Sequence, residues 1–231
     1  MNNEKPMRQK LDNHALSQTG FWDNLTEGDR ETLLYWAYAQ DLAKRHILFH
    51  EGEKGDKVFV LVSGKVQLLQ DAGETNEITL HLARPGEVIG ERLLNGALCY
   101  NCRAEALEDS EVVVLPASVF SQILKRNPKA AWHFYQSLLL RLQKTEQRMM
   151  HFRHNRTENR IRLFLRDWVK EEGRQLATGE WEITWRLTHA MIASLSNSSR
   201  QYVTDFLNTL RKQGVLRYDR RRMVIQRLDL L

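Results

Sequence analysis

The sequence is short of the features that would commit it to several classes. It holds two cysteines and four prolines in 231 residues. Two cysteines cannot build the disulfide framework of a small secreted fold, and such sparing use suits a reducing cytosol. No apolar run approaches the roughly 20 residues that cross a bilayer. The first residues, MNNEKPMRQK, are polar and contain no apolar h-region. A cytoplasmic chain with no membrane span and no secretion signal is therefore expected. Signatures of common catalysts are also missing: no P-loop, no GxGxxG, no HExxH, no GxSxG and no convincing triad spacing. An enzyme is not expected.

What the chain does have is a sufficient core and an uneven charge. Hydrophobic residues make up 42%, enough to fold. Residues 151–231 carry 16 Lys+Arg against 9 Asp+Glu, a balance of +7, which leaves 18 against 20 for residues 1–150. Positive charge confined to one end suggests a polyanion partner for that end alone.

The pattern changes along the chain. Residues 21–40 read as a helical lead-in behind a cap at Asn24 or Thr26. From Leu42 to Leu115, short β-rich runs (Val58 to Val62, Val66 to Leu69, Ile78 to Leu82, Val112 to Leu115) alternate with turns at Gly52, Gly55, Gly64, Gly73, Gly86, Gly90 and Gly96. Many short strands with glycine punctuation predict a barrel or roll. Pro116 breaks the last strand, and Ala117 to Arg126 reads as a helix stopped before Pro128. Between Lys129 and Arg153, residues Ala131, Tyr135, Leu138, Leu142, Thr145, Met149 and Phe152 recur in alternating steps of four and three. That is the seam of a coiled coil, and a second copy of the chain supplies the simplest partner. The competing reading is a helix packed on its own domain through Leu139 and Leu140. Thr157 opens a further helix with Ile161, Phe164, Leu165 and Trp168 on one face. Gly173 to Gly179 reads as loop and Trp181 to Trp185 as a strand.

The segment from Leu187 carries the clearest functional signal. Thr188 can cap a helix with Met191, Ile192 and Leu195 on its apolar face. Ser196-Asn197-Ser198 breaks it, and asparagine tolerates left-handed angles. Ser198 or Ser199 then caps a second helix backed by Val203, Phe206, Leu207 and Leu210, ended by Gly214. This is the helix-turn-helix plan, in which the second helix enters the major groove of DNA. Its outward residues are Arg200, Gln201, Thr204, Asp205, Asn208 and Arg211. Arginine suits guanine and glutamine suits adenine. Ser198, Ser199 and Thr204 can reach phosphates. Asp205 is unusual so near a polyanion, and can accept from cytosine or orient Arg200 or Gln201. The following LRYDRRRMVIQR reads as a hairpin wing whose Arg217, Arg220, Arg221 and Arg222 touch the backbone, with Arg221 the assigned contact.

These parts, in this order, resemble the Crp/Fnr family, the cyclic-AMP receptor protein and fumarate-nitrate regulator group. GEKGDKVFVLVSGKVQLL (Gly52 to Leu69), RPGEVIGE (Arg84 to Glu91), RLQKT (Arg141 to Thr145) and the helix-turn-helix carry the resemblance. It implies an α+β fold: a cyclic-nucleotide-binding-like β-roll (a double-stranded β-helix) over 1–128, a dimerisation helix over 129–155, and a winged helix-turn-helix over 156–231. It also implies a homodimer on palindromic double-stranded DNA, with RNA polymerase as a further partner and a small molecule or redox signal as the switch. The family's guanine-reading arginine falls on Arg200, but its next-position glutamate is Gln201 here and a later arginine is Asp205. The preferred DNA should therefore differ.

The resemblance places an effector pocket at Gly90, Glu91, Arg92, Tyr100, Asn101, Arg103 and Thr145. Gly90-Glu91 matches the family's ribose-binding pair. The arginine that would neutralise a cyclic phosphate falls at Tyr100-Asn101 and is missing, so a cyclic nucleotide lacks its cation unless Arg92 or Arg103 replaces it. The cysteine cluster of an iron–sulfur centre is absent too. Cys99 and Cys102 form a C-x-x-C pair in the same segment, which could be a thiol switch or two small buried side chains. No metal site is expected. Two alternatives stay open: a cyclic-nucleotide module acting on a protein partner, and a cupin-like metal enzyme using His46, His50 or His81.

Overall fold

Strands that are apolar on both faces need a cover on each, and the first part of the chain supplies both. The computed structural model describes residues 8–10, 20–71, 77–152, 156–184, 187–219 and 222–231. Strands β1 (Arg8–Lys10), β2 (Tyr38–Leu42), β3 (Ile47–Phe49), β4 (Lys57–Ser63), β5 (Val66–Asp71), β6 (Glu77–Ala83), β7 (Val88–Ile89), β8 (Arg103–Ala106) and β9 (Ser110–Pro116) build two sheets. Their orders are β1-β2-β9-β4-β7 and β3-β8-β5-β6. Val58, Val60 and Val62 on β4 join a core with Leu33, Phe120 and Ile123. Phe59 and Leu61, between them, join a second core with Leu68, Tyr100 and Ala104. The two-residue period of the strand thus feeds one core between the sheets and another under the helices. The result is the expected β-roll.

The helices follow from their caps. Thr26 Oγ1 accepts from the Asp29 N–H and the Asp29 carboxylate accepts from the Thr26 N–H, a capping box that starts α1 (Glu27–Trp36). α2 (Ala117–Arg126) follows β9 directly. Asn127 then accepts from the N–H groups of Lys129 at 3.0 Å and Ala130 at 3.1 Å, opening α3 (Pro128–Phe152) with proline at its first position. Asp29, almost wholly buried, ties these ends together by accepting from Arg126 Nε at 2.6 Å and Asn127 Nδ2 at 2.7 Å.

The chain divides into two compact units, Met1–Arg141 and Leu142–Leu231, so the division falls within α3. The second unit holds α4 (Thr157–Glu172), β10 (Arg174–Gln175), β11 (Trp181–Ile183), α5 (His189–Leu195), α6 (Arg200–Lys212), β12 (Leu216–Tyr218) and β13 (Met223–Ile225). α4 buries Ile161, Phe164, Leu165 and Trp168, as its spacing predicts, together with Val169.

Some local expectations need correction. The helical lead-in ends at Trp36 because Tyr38–Leu42 pairs with β9 instead. Strands β3, β7 and β8 are too short to show a period and exist through their partners. Arg174 and Gln175, expected in a loop, pair with Glu182 and Trp181. Gly73, Arg153, Trp185, Arg220 and Arg221 lie outside the described residues.

Candidate functional site

The helix-turn-helix is built as its sequence predicts. Thr188 accepts from Met191 N–H at 3.2 Å and caps α5. Asn197 takes φ +49° in the turn, the left-handed region that asparagine tolerates. Ser199 is the cap of α6, accepting from Tyr202 N–H at 3.1 Å. Val203, Phe206, Leu207 and Leu210 are buried behind it. Ser198 is held in the turn through Ser196 Oγ at 2.8 Å. Both serine hydroxyls therefore have structural partners within the protein.

Arg160, which the sequence reading passed over, fastens the turn. Its guanidinium donates to the carbonyls of Ser196 at 3.1 Å and Asn197 at 2.8 Å, and to Thr157 Oγ1 at 3.1 Å. Thr157, Arg160, Asn197, Ser198, Ser199 and Tyr202 line a wide polar hollow beside the start of α6.

The outward residues of α6 fall into two groups. Thr204 donates to the Arg200 carbonyl at 2.9 Å and meets His189 Nδ1 at 2.9 Å. Asn208 accepts from the Tyr218 hydroxyl at 3.2 Å, and the Arg211 guanidinium lies 5.7 Å from the Tyr218 ring centre. These three are braced against α5 and β12. Arg200, Gln201 and Asp205 are exposed, and Gln201 Nε2 donates toward both Asp205 oxygens at 3.2 and 3.1 Å.

The hairpin forms, with Leu216 opposite Ile225. Two of its arginines, expected to touch the DNA backbone, also face acids of their own domain. Arg217 pairs with Glu180 at 3.0 Å and Arg222 with Glu182 at 2.9 Å. The acids lie at and beside β11, which adjoins β13, a tertiary neighbour invisible in the hairpin's own sequence.

In the first unit, Gly90, Glu91, Arg92, Cys99, Tyr100, Asn101 and Cys102 come together around one pocket. Phe49, Leu68, Leu80, Leu93 and Arg141 complete it and were not anticipated. Arg141 Nη1 donates to Glu91 Oε1 at 2.9 Å. Arg103 is not part of this pocket: its guanidinium is paired with Glu77 at 2.6 Å and Glu105 at 3.1 Å. Thr145 belongs to the second unit, half-buried on α3. Tyr100 is buried, stacked on Phe49 with ring centres 3.7 Å apart, and donates to the Lys57 carbonyl at 2.9 Å. Burial raises its pKa to about 12. Gly55 is required here, since a Cβ would come within 2.5 Å of the Tyr100 ring. Burial likewise pushes the Cys102 thiol up to about 11, so it stays protonated near neutral pH and is a poor nucleophile. Cys99 and Cys102 are both free thiols.

On α3 the seam residues Tyr135, Leu142, Met149 and Phe152 are exposed by 44–63%, with Leu138 and Thr145 half-buried. Leu139 and Leu140 are also exposed, so among the described residues they are not buried in a contact.

Residues 39–127 match the cyclic nucleotide-binding domain family and residues 137–231 match the Crp-like helix-turn-helix domain family. The chain belongs to the Crp/Fnr family of transcription regulators. Among its relatives is the cyclic AMP receptor protein of Thermus thermophilus, 26% identical over 74% of this chain and 75% of that protein. The global nitrogen regulator of Nostoc sp. is 28% identical over 78% and 81%. The fold is shared with FixK2 from Bradyrhizobium japonicum (TM-score 0.70, 18% identity, 84% and 94% covered). It is also shared with the c-di-GMP responsive regulator CLP of Xanthomonas campestris (TM-score 0.73, 19% identity, 87% and 99% covered).

As a Crp/Fnr regulator the chain binds DNA through its C-terminal domain. The pocket around Glu91 and Tyr100 has no room for a cyclic nucleotide as it stands. The cavity is about 20 Å³, room for about one water. Where the family's phosphate-binding arginine would stand, Tyr100 turns an aromatic ring into the core. Arg141 is already bonded to the pocket's acid, Glu91.

Proposed function

We propose that this Crp/Fnr regulator works in the cytoplasm as a homodimer on a palindromic operator, with RNA polymerase as its downstream partner. The exposed α3 stripe supports self-association: large apolar side chains at seam spacing lose contact with water only against a partner helix. The reading rests above all on α6, where Arg200, Gln201 and Asp205 stand outward on a braced platform. Arg200 reads guanine, and the hairpin, including Arg221, meets the phosphate backbone.

Control comes from the β-roll by a shift of populations. Glu91 lines the pocket and Arg141 stands on α3, so a ligand that takes Glu91 from Arg141 changes what holds that helix. The Cys102 thiol, protonated and buried, favours a ligand over a thiol switch at Cys99 and Cys102.

Selection from a randomised duplex pool at physiological salt tests the assignment. A two-fold symmetric sequence should be enriched; no enrichment above non-specific binding defeats it. Operator affinity that stays the same with every candidate small molecule defeats the switch.

A further inference from the structure

Asp205 is a carboxylate on the DNA-facing side of α6, where every approaching phosphate repels it. Such a group lowers affinity for all sequences, so it needs a compensating role. Its geometry supplies one. Gln201 Nε2 sits almost evenly between the two carboxylate oxygens, at 3.2 and 3.1 Å. The two residues are four apart on one helix face, the spacing at which side chains meet. An ionised carboxylate only accepts, so the glutamine must turn its NH₂ toward Asp205 and its Oε1 away. A glutamine that would otherwise flip freely is held in one orientation.

We propose that Asp205 sets the sequence specificity of α6 by holding Gln201 so that the pair recognises a base bearing an exocyclic amino group, adenine or cytosine. Adenine fits by donating N6–H to Gln201 Oε1 and accepting the remaining Nε2–H at N7. Cytosine fits by donating N4–H to Oε1 or to the carboxylate. Thymine and guanine set carbonyl oxygens against these acceptors and keep at most a bond from the remaining Nε2–H, so they are disfavoured. The neighbours leave this task to the pair. Thr204 commits its hydroxyl hydrogen to the Arg200 carbonyl, and Asn208 is engaged by Tyr218. Asp205 acts through Gln201 and is a positioning residue.

The inference rests on α6 being the DNA-reading helix, and one experiment separates the two. Selection from a randomised duplex pool is run on the full chain as wild type, Gln201→Ala, Asp205→Asn, Asp205→Ala and the double alanine variant. Wild type should enrich adenine or cytosine at one position per half-site, and which of the two appears distinguishes the two fits. Each single variant should lose roughly tenfold preference at that same position. The double variant should lose no more than either single, as coupled partners do. Binding of Asp205→Asn to random duplex should be as strong as wild type or stronger, and the base read by Arg200 should persist, which shows an intact helix. If Asp205→Asn changes affinity for all sequences equally and leaves every base preference in place, the inference is overturned while the DNA-reading assignment stands. Single variants that act at different positions, or that add, overturn it too. A wild type that enriches nothing overturns the assignment and the inference with it.

Discussion

Arg141 and Glu91 join the long helix to the β-roll pocket by one charge-assisted hydrogen bond of 2.9 Å, with both side chains about one-fifth exposed. The contact is screened enough to break and buried enough to count. Arg141→Met and Glu91→Gln should each lower stability by about 1–2 kcal/mol, between the values for surface and fully buried pairs. The double variant should cost less than their sum. Urea unfolding followed by tryptophan fluorescence checks this; strictly additive losses would show that the pair is not coupled.

Asp29 predicts a specific acid sensitivity. Burial alone would raise its pKa, but hydrogen bonds from Thr26, Asn127 and Arg126 outweigh burial and hold it below the usual aspartate value. The folded state therefore favours the ionised form. That stability is present above the unfolded pKa of about 3.9 and is lost as pH falls through the lower folded value. Asn127→Ala removes one of these bonds and the α3 cap, and should cost about 2 kcal/mol at pH 7. Asp29→Asn should flatten the fall in urea midpoint between neutral pH and pH 3. An unchanged acid slope would count against Asp29 as its source.

Cys102 should be chemically quiet. Its thiol is pushed up to about 11 by burial, with the Glu91 carboxylate adding to the effect. The folded protein at pH 7.5 should be labelled by iodoacetamide at Cys99 well before Cys102, as read by peptide mass spectrometry. Equal labelling rates would contradict the buried placement.

Self-association should depend on the α3 stripe. Leu142→Glu or Met149→Glu places charge where one copy is proposed to meet another, and sedimentation at micromolar concentration should shift from dimer to monomer. Both positions are exposed within the chain, so each unit should stay folded. A variant that remains dimeric would place the interface elsewhere.

Arg200→Ala should cost roughly 1–3 kcal/mol of discrimination at a single base position. Arg221→Ala should weaken all sequences alike and reduce the salt dependence of binding. Binding titrations on matched and substituted duplexes at several salt concentrations distinguish the two. A uniform loss for Arg200→Ala would make it a phosphate contact.

The helix-turn-helix was legible because its determinants are local. Thr188, Asn197 and Ser199 act within a few residues of themselves, and Val203, Phe206, Leu207 and Leu210 repeat at the helical period. The exposed apolar stripe of α3 was legible for the same reason. Less could be read of the pocket. Gly90-Glu91 and Tyr100 were found from motif position, but Arg141 lies 50 residues from Glu91 and carries no local mark of that contact. Arg103 was misplaced because its partners Glu77 and Glu105 are set by pairing among β5, β6 and β8.

The sequence alone determined the order of parts, the family, the helix-turn-helix and its apolar back, since periodicity, caps and turn residues are properties of neighbours along the chain. Only the tertiary structure decided which polar groups stay available. It engaged Arg217 and Arg222 with acids beside the hairpin, bonded Glu91 to Arg141 and set the Tyr100 ring into the pocket of the β-roll. Charged and aromatic side chains settle with whichever partner the fold brings near, and that proximity is a long-range property no local pattern encodes.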